Sequence, residues 1–395
     1  MYVYADNAAT TKIRPSALKT FAETAEKFYG NPSSLHSAGQ RAQEVLTHCR
    51  ETVARILGCT PREIYFTSGG SESDNQAILS AAYFGAKKGK KKIISTAIEH
   101  HAVLHVLKKL QKEGFEIVLL PVGADGIVSV ADAEREIDDN TCIVSVMLAN
   151  NEIGTIQPVS EIGAICRERK VFFHTDAVQA VGHMPVDVKT LNCDYLALSA
   201  HKFGGPRGVG ALYARTGAPL SNLIEGGAQE RGKRAGTENL PAIAAMTTAL
   251  EEATADIPAY MAKVSALRDK LIENLSKIPH CALNGDREKR LCGNVSFCFE
   301  GIEGESLLLL LDMKGIYASS GSACTSGSLE PSHVLLAIGR PHEVAHGSLR
   351  LTLDAENTEE DVDAVLQWVP WAVERLRGMS PVWQALEAGK QTFLL

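Results

Sequence analysis

The chain has 395 residues, of which 45% are hydrophobic and 22% charged, and its formal net charge is −7. This length favours two domains, or one large and one small domain, and the composition is typical of an ordinary globular protein. The acidic balance argues against nucleic acid or an anionic membrane as the main partner. No apolar run approaches the roughly 20 residues of a membrane helix, and the N-terminal residues lack the pattern of an export signal.

The nine cysteines are scattered along the chain, and no two of them form a Cys-x-x-Cys pair. An odd number without paired spacing points away from a disulfide framework or a zinc site. We therefore expect a cytoplasmic protein without a structural metal, in which most cysteines are small buried hydrophobic residues.

The chain begins with an extended segment over residues 2–14, which contains the polar turn Asp6–Thr11. The spacing of apolar residues predicts a helix over 15–28, and the glycine and proline that follow predict a loop over 29–36. A long amphipathic helix then runs to Gly58, whose lack of a side chain suits the end of a helix.

Short strands and helices alternate over the next 150 residues or so. The predicted strands are 63–67, 92–96, 116–121, 142–148, 171–175, 195–198 and 210–214. The predicted helices between them are 75–85, one from about residue 102, 159–169 and a short one at 177–181. This alternation is typical of a mostly parallel sheet covered by helices.

The pattern changes after a polar, glycine-rich loop at 225–237. A long helix over 241–275, kinked at Pro258, leads into mixed strands and helices. These are a strand at 293–299, a helix at 304–312, a loop around 318–328, a strand at 347–353 and a terminal helix at 358–377. We expect a large α/β domain over residues 15–258 and a smaller α+β domain formed by residues 1–14 and 259–395.

Polar or glycine residues follow five of the predicted strands. They are Gly69, Gly70 and Ser71; Glu99, His100 and His101; Asn150, Asn151 and Glu152; Asp176 and Gln179; and Ser199, His201 and Lys202. Each group has a plain explanation as helix caps or turn residues. Five groups at one edge nevertheless favour a binding site, because ligands of open α/β sheets bind at the carboxyl ends of the strands.

The turn at Gly69–Ser71 precedes a helix and suits a phosphate group, because backbone amides and the helix dipole both favour an anion there. It matches neither the dinucleotide-binding pattern nor the P-loop pattern. Ser199 and His201 offer further donors to the same anion.

Asp176, Lys202 and this phosphate turn are the three parts that a pyridoxal 5′-phosphate site needs. The carboxylate would keep the pyridine nitrogen protonated, and the lysine would bind the cofactor covalently. His100 would lie against the ring and transfer protons. Taken singly, His100 is as readily a structural histidine, and Lys202 is more readily a surface lysine.

Nine short motifs support this interpretation, and they follow one another along the chain. They are Asp6–Thr11, Asn31–His36, Phe66–Asn75, Glu99–His100, Asn150–Gly154, Asp176–Gln179, Ser199–Lys202, Arg234–Thr237 and Ser320–Ser326. Together they resemble the cysteine desulfurases of the NifS/IscS type, over essentially the whole chain. This family belongs to the class-V aminotransferase-like enzymes of fold type I, which use pyridoxal phosphate and combine a mostly parallel large domain with a smaller α+β domain.

The resemblance implies a set of cofactor contacts: Gly70, Ser71, His100, Asn151, Asp176, Gln179, Ser199, His201, Lys202 and Thr237. Thr237 matches a contact that the neighbouring subunit contributes, which implies a homodimer with shared active sites. Gly70 and Ser71 stand where the family often has alanine and threonine, and Ser71 keeps the hydroxyl.

The resemblance also implies the catalytic and substrate-binding residues. Lys202 and His100 match the groups that transfer protons, and Cys324 matches the nucleophile that accepts sulfur. Arg350 matches the arginine that binds the substrate carboxylate. The planar guanidinium of an arginine can donate two parallel hydrogen bonds to a carboxylate, so it suits this task better than a lysine amine. Asn151 matches an asparagine near both cofactor and substrate.

The implied reaction converts L-cysteine to L-alanine and leaves a persulfide on Cys324, for delivery to an iron–sulfur scaffold or another acceptor protein. The alternatives are a selenocysteine lyase, an aminotransferase, or a non-catalytic scaffold of a sulfur system that kept the fold. The sequence leaves the acceptor unspecified among nitrogenase-dedicated, housekeeping and tRNA-thiolation roles.

Overall fold

The computed structural model describes residues 2–321 and 331–395. Its strands are β1 (Val3–Tyr4), β2 (Ile64–Thr67), β3 (Lys92–Thr96), β4 (Glu116–Leu120), β5 (Thr141–Ser145), β6 (Phe172–Asp176), β7 (Tyr195–Ser199), β8 (Gly210–Ala214), β9 (Cys281–Leu283), β10 (Asn294–Phe299), β11 (Ile316–Tyr317) and β12 (Ser348–Thr352).

The helices lie between these strands and after them. They are α1 (Pro15–Lys27), α2 (Ser37–Leu57), α3 (Gly70–Ala86), α4 (His101–Lys112), α5 (Val130–Glu136), α6 (Val159–Glu168), α7 (Gln229–Gly232), α8 (Leu240–Thr254), α9 (Ile257–Leu275), α10 (Gly304–Asp312), α11 (His333–Ala337), α12 (His342–Ala345), α13 (Glu359–Met379) and α14 (Pro381–Glu387). Two short 3-10 helices occupy Pro61–Glu63 and Ala200–Lys202.

A seven-stranded sheet has the order β2-β8-β7-β6-β5-β3-β4. Strand β8 runs antiparallel to both of its neighbours, and the other pairs are parallel. The predicted mostly parallel sheet is therefore confirmed. The chain builds outward from β3 to β4 and then returns to place β5 on the other side of β3. A reversal of this kind opens a crevice beyond the carboxyl ends of the strands, where ligands of such sheets bind.

Both faces of this sheet are buried, because successive side chains of each strand enter different hydrophobic cores. In β7, Leu196 and Leu198 join one core, whereas Tyr195 joins the other. In β3, Ile94 and Ile93 divide in the same way. Burial on both faces explains why these strands are nearly continuous apolar runs. It also leaves the strand ends as the places where polar side chains can gather.

A second, antiparallel sheet has the order β12-β10-β9, and β1 pairs with β11 in a two-stranded parallel sheet. They share a separate hydrophobic core with helices α9, α10 and α13, to which Val3 and Ala5 also contribute. The division into domains at residue 258 stays a prediction.

Two predicted helices are wrong in detail. Residues 177–181 form hydrogen-bonded turns instead of a helix, with the amides of Ala180 and Val181 both donating to Ala177 O. The predicted helix 241–275 is two helices, α8 and α9, which are separated at Asp256. The Asp256 carboxylate accepts from the Ala259 amide and caps α9, so Pro258 lies in the first turn, where its missing N–H costs nothing.

Helix α3 begins at Gly70, five residues before the predicted start. Gly69 precedes it with φ 150° and ψ −176°, a backbone conformation that only glycine adopts readily. The glycine turn and the helix are therefore continuous, which brings the first turn of α3 to the end of β2.

The described helices include none that is both long enough and apolar enough to cross a membrane.

Candidate active site

Asp176 is the last residue of β6, and its carboxylate is buried at the carboxyl edge of the large sheet. Its Oδ1 accepts from the Val178 amide at 2.9 Å. Burial raises the pKa of Asp176, whereas the positive charges of His100 and Lys202 and the Val178 amide act against that rise. The aspartate, histidine and lysine, which come from the ends of three different strands, therefore lie close enough to influence one another's charge.

Lys202 lies at the end of the 3-10 helix that follows β7. Its Nζ donates to Ala8 O at 2.5 Å and to Ala9 O at 2.9 Å. Gln179 Nε2 donates to the same Ala8 oxygen at 2.9 Å. The amine is therefore held by two carbonyl oxygens of the N-terminal segment, beside the amide of Gln179.

A cavity of about 430 Å³ lies beside the first turn of α3. Its lining residues are Ala9, Thr10, Ser68, Gly69, Gly70, Ser71, Glu72, Ser199, His201, Arg207 and Gly208. The lining combines the amides that begin a helix with hydroxyl, imidazole and guanidinium groups. Such a set of donors suits an anion with several oxygens. His201 Nδ1 lies 3.1 Å from Thr10 Oγ1, which fixes the orientation of the imidazole ring.

Gly70 is required by close packing beneath this cavity. A Cβ atom at that position would lie 2.5 Å from Val178 Cγ2 and 3.8 Å from the Ser199 Cβ. A larger residue would therefore push the first turn of α3 away from β6 and β7. Glycine at position 70, where the family often has alanine, thus has a packing explanation in this chain.

The first turn of α3 also contains an acidic residue, Glu72, whose negative charge is balanced by a neighbouring arginine. Glu72 pairs with Arg234, whose Nε lies 2.9 Å from Glu72 Oε1, and its other oxygen accepts from the Ser68 amide at 2.8 Å. Burial alone would raise the pKa of Glu72, but these hydrogen bonds lower it. The negative charge is therefore balanced within the protein.

His100 is the N-cap of α4, four residues after the end of β3. Its Nδ1 accepts from the Ala102 amide at 3.1 Å, which fixes the orientation of the imidazole ring. The rings of His100 and His101 have centroids 6.2 Å apart, and His333 Nε2 lies 3.0 Å from Glu99 O. The cap fixes the ring of His100 at the crevice between β3 and β5.

Three buried acidic groups lie together below the crevice: Asp74, Glu99 and Asp176. Burial raises the pKa of Asp74 well above its usual value, and the charges of Asp176 and Glu99 raise it further. Burial also raises the pKa of Glu99 to about 8, against hydrogen bonds from Thr96 and the Met147 amide. Burial and mutual repulsion therefore disfavour the ionised forms of these carboxyl groups.

His174 accompanies Asp74 in this buried region. Its Nε2 lies 3.3 Å from Asp74 Oδ1, although neither atom makes a well-aligned hydrogen bond within the described residues. Its Nδ1 lies 2.8 Å from Ser145 Oγ. Burial lowers the pKa of His174 to about 3, so its imidazole is neutral near pH 7, whereas burial raises the pKa of the neighbouring Asp74.

Arg350 lies in the middle of β12, and its guanidinium reaches the other end of the site. Its Nη2 pairs with Asp6 Oδ1 at 3.0 Å, and its Nη1 donates to Asn151 O at 3.1 Å. Asn151 therefore contacts Arg350 through its backbone. Nearby, Glu152 accepts a hydrogen bond from Ser332, and burial raises its pKa to about 7 although Ser332 and Arg350 lower it.

Two predicted residues are not brought into this arrangement. Thr237 is exposed and lines a smaller neighbouring pocket with Ser68 and Gly208, instead of the 430 Å³ cavity. Its predicted contact across a dimer stays a prediction. Cys324 lies outside the described residues, so its predicted role also stays a prediction.

Three residues at the site were missed. Arg207 lines the anion cavity, and its position in the glycine-rich turn after Lys202 was the available indication. Asp6 belongs to a recognised motif that had no assigned role. His174 lies two residues before Asp176, and period-two spacing in a strand places both on one face.

Comparison with known proteins agrees with this geometry. The model of the family "Aminotransferase class-V" matches residues 3–365. The protein named cysteine desulfurase IscS of Clostridium botulinum is 52% identical over 392 residues, which cover 98% of each chain. The protein of the same name from Methanosarcina thermophila is 54% identical over 380 residues, covering 96% of this chain and 94% of its own.

Solved structures give the same result. A structure titled NifS-like protein superimposes with a TM-score of 0.90 at 38% identity, covering 95% of this chain and all of its own. A structure titled SspA in complex with cysteine has a TM-score of 0.80 at 33% identity, covering 90% of this chain and all of its own. The chain belongs to the class-V aminotransferase family and, within it, to the cysteine desulfurases.

Proposed function

We propose that the chain is a pyridoxal-phosphate-dependent cysteine desulfurase. It converts L-cysteine to L-alanine and supplies the sulfur for iron–sulfur cluster assembly. The observation that carries this proposal is the meeting of Asp176, Lys202 and the anion cavity at one edge of one sheet. The names of the relatives support sulfur chemistry over the other reactions of this fold, and the cysteine bound to one structural relative supports the substrate.

The residues present fit pyridoxal phosphate, because each polar part of the cofactor has a partner of matching chemistry. The first turn of α3, with Ser199, His201 and Arg207, offers donors to a phosphate group. The buried carboxylate of Asp176 suits a protonated pyridine nitrogen, and the Lys202 amine suits an aldehyde. When bound, the cofactor supplies an electron sink for the charge that develops at the substrate Cα.

The protein's own groups then orient the substrate and move its protons. Lys202 and His100 would be the bases that take the proton from the substrate Cα. Burial raises the pKa of Asp74, Glu99 and Asp176, but at Asp176 the charges of His100 and Lys202 act against that rise, which favours Asp176 as the partner of the pyridine nitrogen. Gln179 and Asn151 bracket the site, and Arg350 binds the α-carboxylate.

Sulfur transfer is assigned to Cys324. Its thiolate attacks the sulfur of the substrate, and a new S–S bond forms while the substrate Cβ–S bond breaks. The electron pair of that bond stays with the carbon fragment, which takes up protons and leaves as alanine. One thiol and one cysteine thus yield one persulfide and one alanine, with no external oxidant.

Several features of the assembly belong to this proposal. The enzyme is a cytoplasmic homodimer in which Thr237 of one subunit completes the phosphate site of the other. The large domain over residues 15–258 binds the cofactor, and the smaller domain carries Cys324. A scaffold protein or another acceptor takes the persulfide sulfur.

The proposal is tested with purified protein incubated with pyridoxal phosphate and then with L-cysteine. We expect a yellow protein that forms alanine and sulfide in the presence of a thiol. Lys202→Ala should lose the absorbance of the covalently bound cofactor and reduce alanine formation about 10²- to 10⁴-fold, the range of a general acid–base group. Lys12→Ala, at an exposed lysine, is the matched control.

The same assay separates the alternatives. Cys324→Ser should keep the cofactor and lose persulfide formation, as mass mapping of the protein would show. Keto-acid formation instead of alanine would identify an aminotransferase, and turnover of selenocysteine but not cysteine would identify a lyase. A colourless protein that takes up no pyridoxal phosphate would be a non-catalytic scaffold.

A further inference from the structure

The segment Asp6–Thr11, here called the N-terminal strap, connects the two ends of the site. On one side it is attached to β12: Asn7 Nδ2 donates to Thr352 O and the Ala8 amide donates to Thr352 Oγ1, each at 2.8 Å. On the other side its Ala8 and Ala9 carbonyls hold the Lys202 amine. The Asp6–Thr11 motif, which has no role assigned from the sequence, thus lies between Arg350 and Lys202.

Asp6, the first residue of the strap, is the partner of Arg350. The side chain of Arg350 is only 2% exposed, whereas that of Asp6 is 20% exposed. Asn151 O takes a second N–H of the guanidinium, and the buried Arg350 Nε makes no hydrogen bond within the described chain. The arginine is therefore fixed and incompletely satisfied, and its acidic partner has a path to water.

A buried guanidinium requires an anion, because an uncompensated charge in the interior costs several kcal/mol. Glu152 is the other acidic group near Arg350, but burial raises its pKa to about 7, so much of it is neutral near that pH. Asp6 is thus the principal counter-ion. A substrate α-carboxylate arriving at Arg350 would bring a second negative charge to the same fork.

We propose that Asp6 is a specificity-determining residue of the substrate site, whose carboxylate pairs with Arg350 until the α-carboxylate of the amino acid replaces it. The partly exposed Asp6 side chain moves away from Arg350, and the buried Arg350 side chain stays in place. Binding is then an exchange of one carboxylate for another, which leaves the charge at Arg350 unchanged. A ligand with an uncharged amide in place of the carboxylate cannot balance this exchange. The inference rests on the proposed function, in which Arg350 binds the substrate carboxylate.

The test measures binding of propionate to the holoenzyme by calorimetry, with propionamide as the uncharged analogue. Propionate has no amino group and cannot react with the cofactor. In Asp6→Asn the competing charge is absent, and propionate should bind about tenfold more tightly, the factor that corresponds to 1.4 kcal/mol. Propionamide should bind equally weakly to both proteins.

Glu356→Gln is the matched control, since it makes the same change in an exposed pair with Lys12, whose side chains are 69% and 72% exposed. It should leave propionate binding unchanged. Asp6→Asn should also unfold at a lower temperature than the wild type without propionate, and propionate should raise its melting temperature more. If Asp6→Asn fails to fold, Asp6→Ser offers the same loss of charge.

Unchanged or weaker propionate binding in the Asp6 variant would overturn the proposal, as would the absence of propionate binding in both proteins. Failure of the proposed function is a different result: the wild type would then form no alanine from L-cysteine. A wild type that forms alanine, together with equal propionate affinities, would refute the role of Asp6 alone.

Discussion

The two sheets of this protein contribute to the site in different ways. The seven-stranded sheet places Asp176 at the end of one strand and His100 and Lys202 a few residues after the ends of two others, where parallel topology brings them to one edge. The three-stranded antiparallel sheet contributes Arg350 from the middle of β12, at a place that its topology does not mark. The side chains at the ends of the parallel strands are positioned by the topology of the sheet. The side chain of Arg350 is positioned by a specific partner.

The hydrogen-bond partners of these side chains differ in the same way. His100 and Asp176 are held by amides two residues further along the chain, Ala102 and Val178, so their orientation is local. Arg350 is held by Asp6, which is 344 residues away in sequence. The orientation of His100 and Asp176 therefore depends on neighbouring residues. Arg350 depends on partners far away in sequence, as does Lys202, whose amine is held by Ala8 and Ala9. The following predictions test this contrast.

The largest effect is expected at the long-range pair. Arg350→Lys keeps the charge but loses the planar fork and at least one charge-assisted hydrogen bond, worth about 1.5–3 kcal/mol. The KM for L-cysteine should therefore rise roughly 10- to 100-fold, with a smaller change in kcat. Steady-state alanine formation measures both. Arg55→Lys, in a surface pair with Glu251, is the control, and an unchanged KM would contradict the assignment of Arg350.

A moderate effect is expected at the locally built anion cavity. Gly70→Ala would place a Cβ 2.5 Å from Val178 Cγ2, and overpacking of this kind costs about 1–3 kcal/mol. Displacement of the first turn of α3 should weaken the affinity for pyridoxal phosphate, as equilibrium dialysis would show. Gly378→Ala is the control, because nothing lies within 4 Å of its added Cβ. Equal cofactor affinity of Gly70→Ala and wild type would show that this packing does not matter.

The last effect concerns the pH dependence of stability. Burial raises the pKa of Glu99 from 4.5 to about 8, so the folded protein keeps a proton that the unfolded chain has lost. The stabilisation is full below pH 4.5 and is lost as the pH rises towards 8, by at most about 1.4 kcal/mol per pH unit. Glu99→Gln cannot titrate. The melting temperature of wild type relative to this variant should fall between pH 5 and 8.

Glu161→Gln makes the same change at an exposed helix position and serves as the control for this titration. A constant difference in melting temperature between wild type and Glu99→Gln across this pH range would show that Glu99 is ionised in the folded protein. The raised pKa of Glu99 would then be wrong.

Much of the large sheet could be predicted from sequence, because its strands are continuous apolar runs followed by polar or glycine residues. Strands β3 to β8 lie within a few residues of the predicted segments. The errors occur where a single side chain decides between helix and turn. Asp256 caps a new helix where a kink was expected, and residues 177–181 turn without forming a helix.

The sequence alone determined the family, the fold class and the residues that gather at the strand ends, since these depend on local patterns and ordered motifs. Only the tertiary structure decided which acids are buried together and which carboxylate holds Arg350. Both depend on burial and on distances between groups far apart in the chain. The spacing of residues in the sequence predicts neither the contact of Asp74 with His174 nor that of Asp6 with Arg350. Such pairs form only where the fold brings the two residues together.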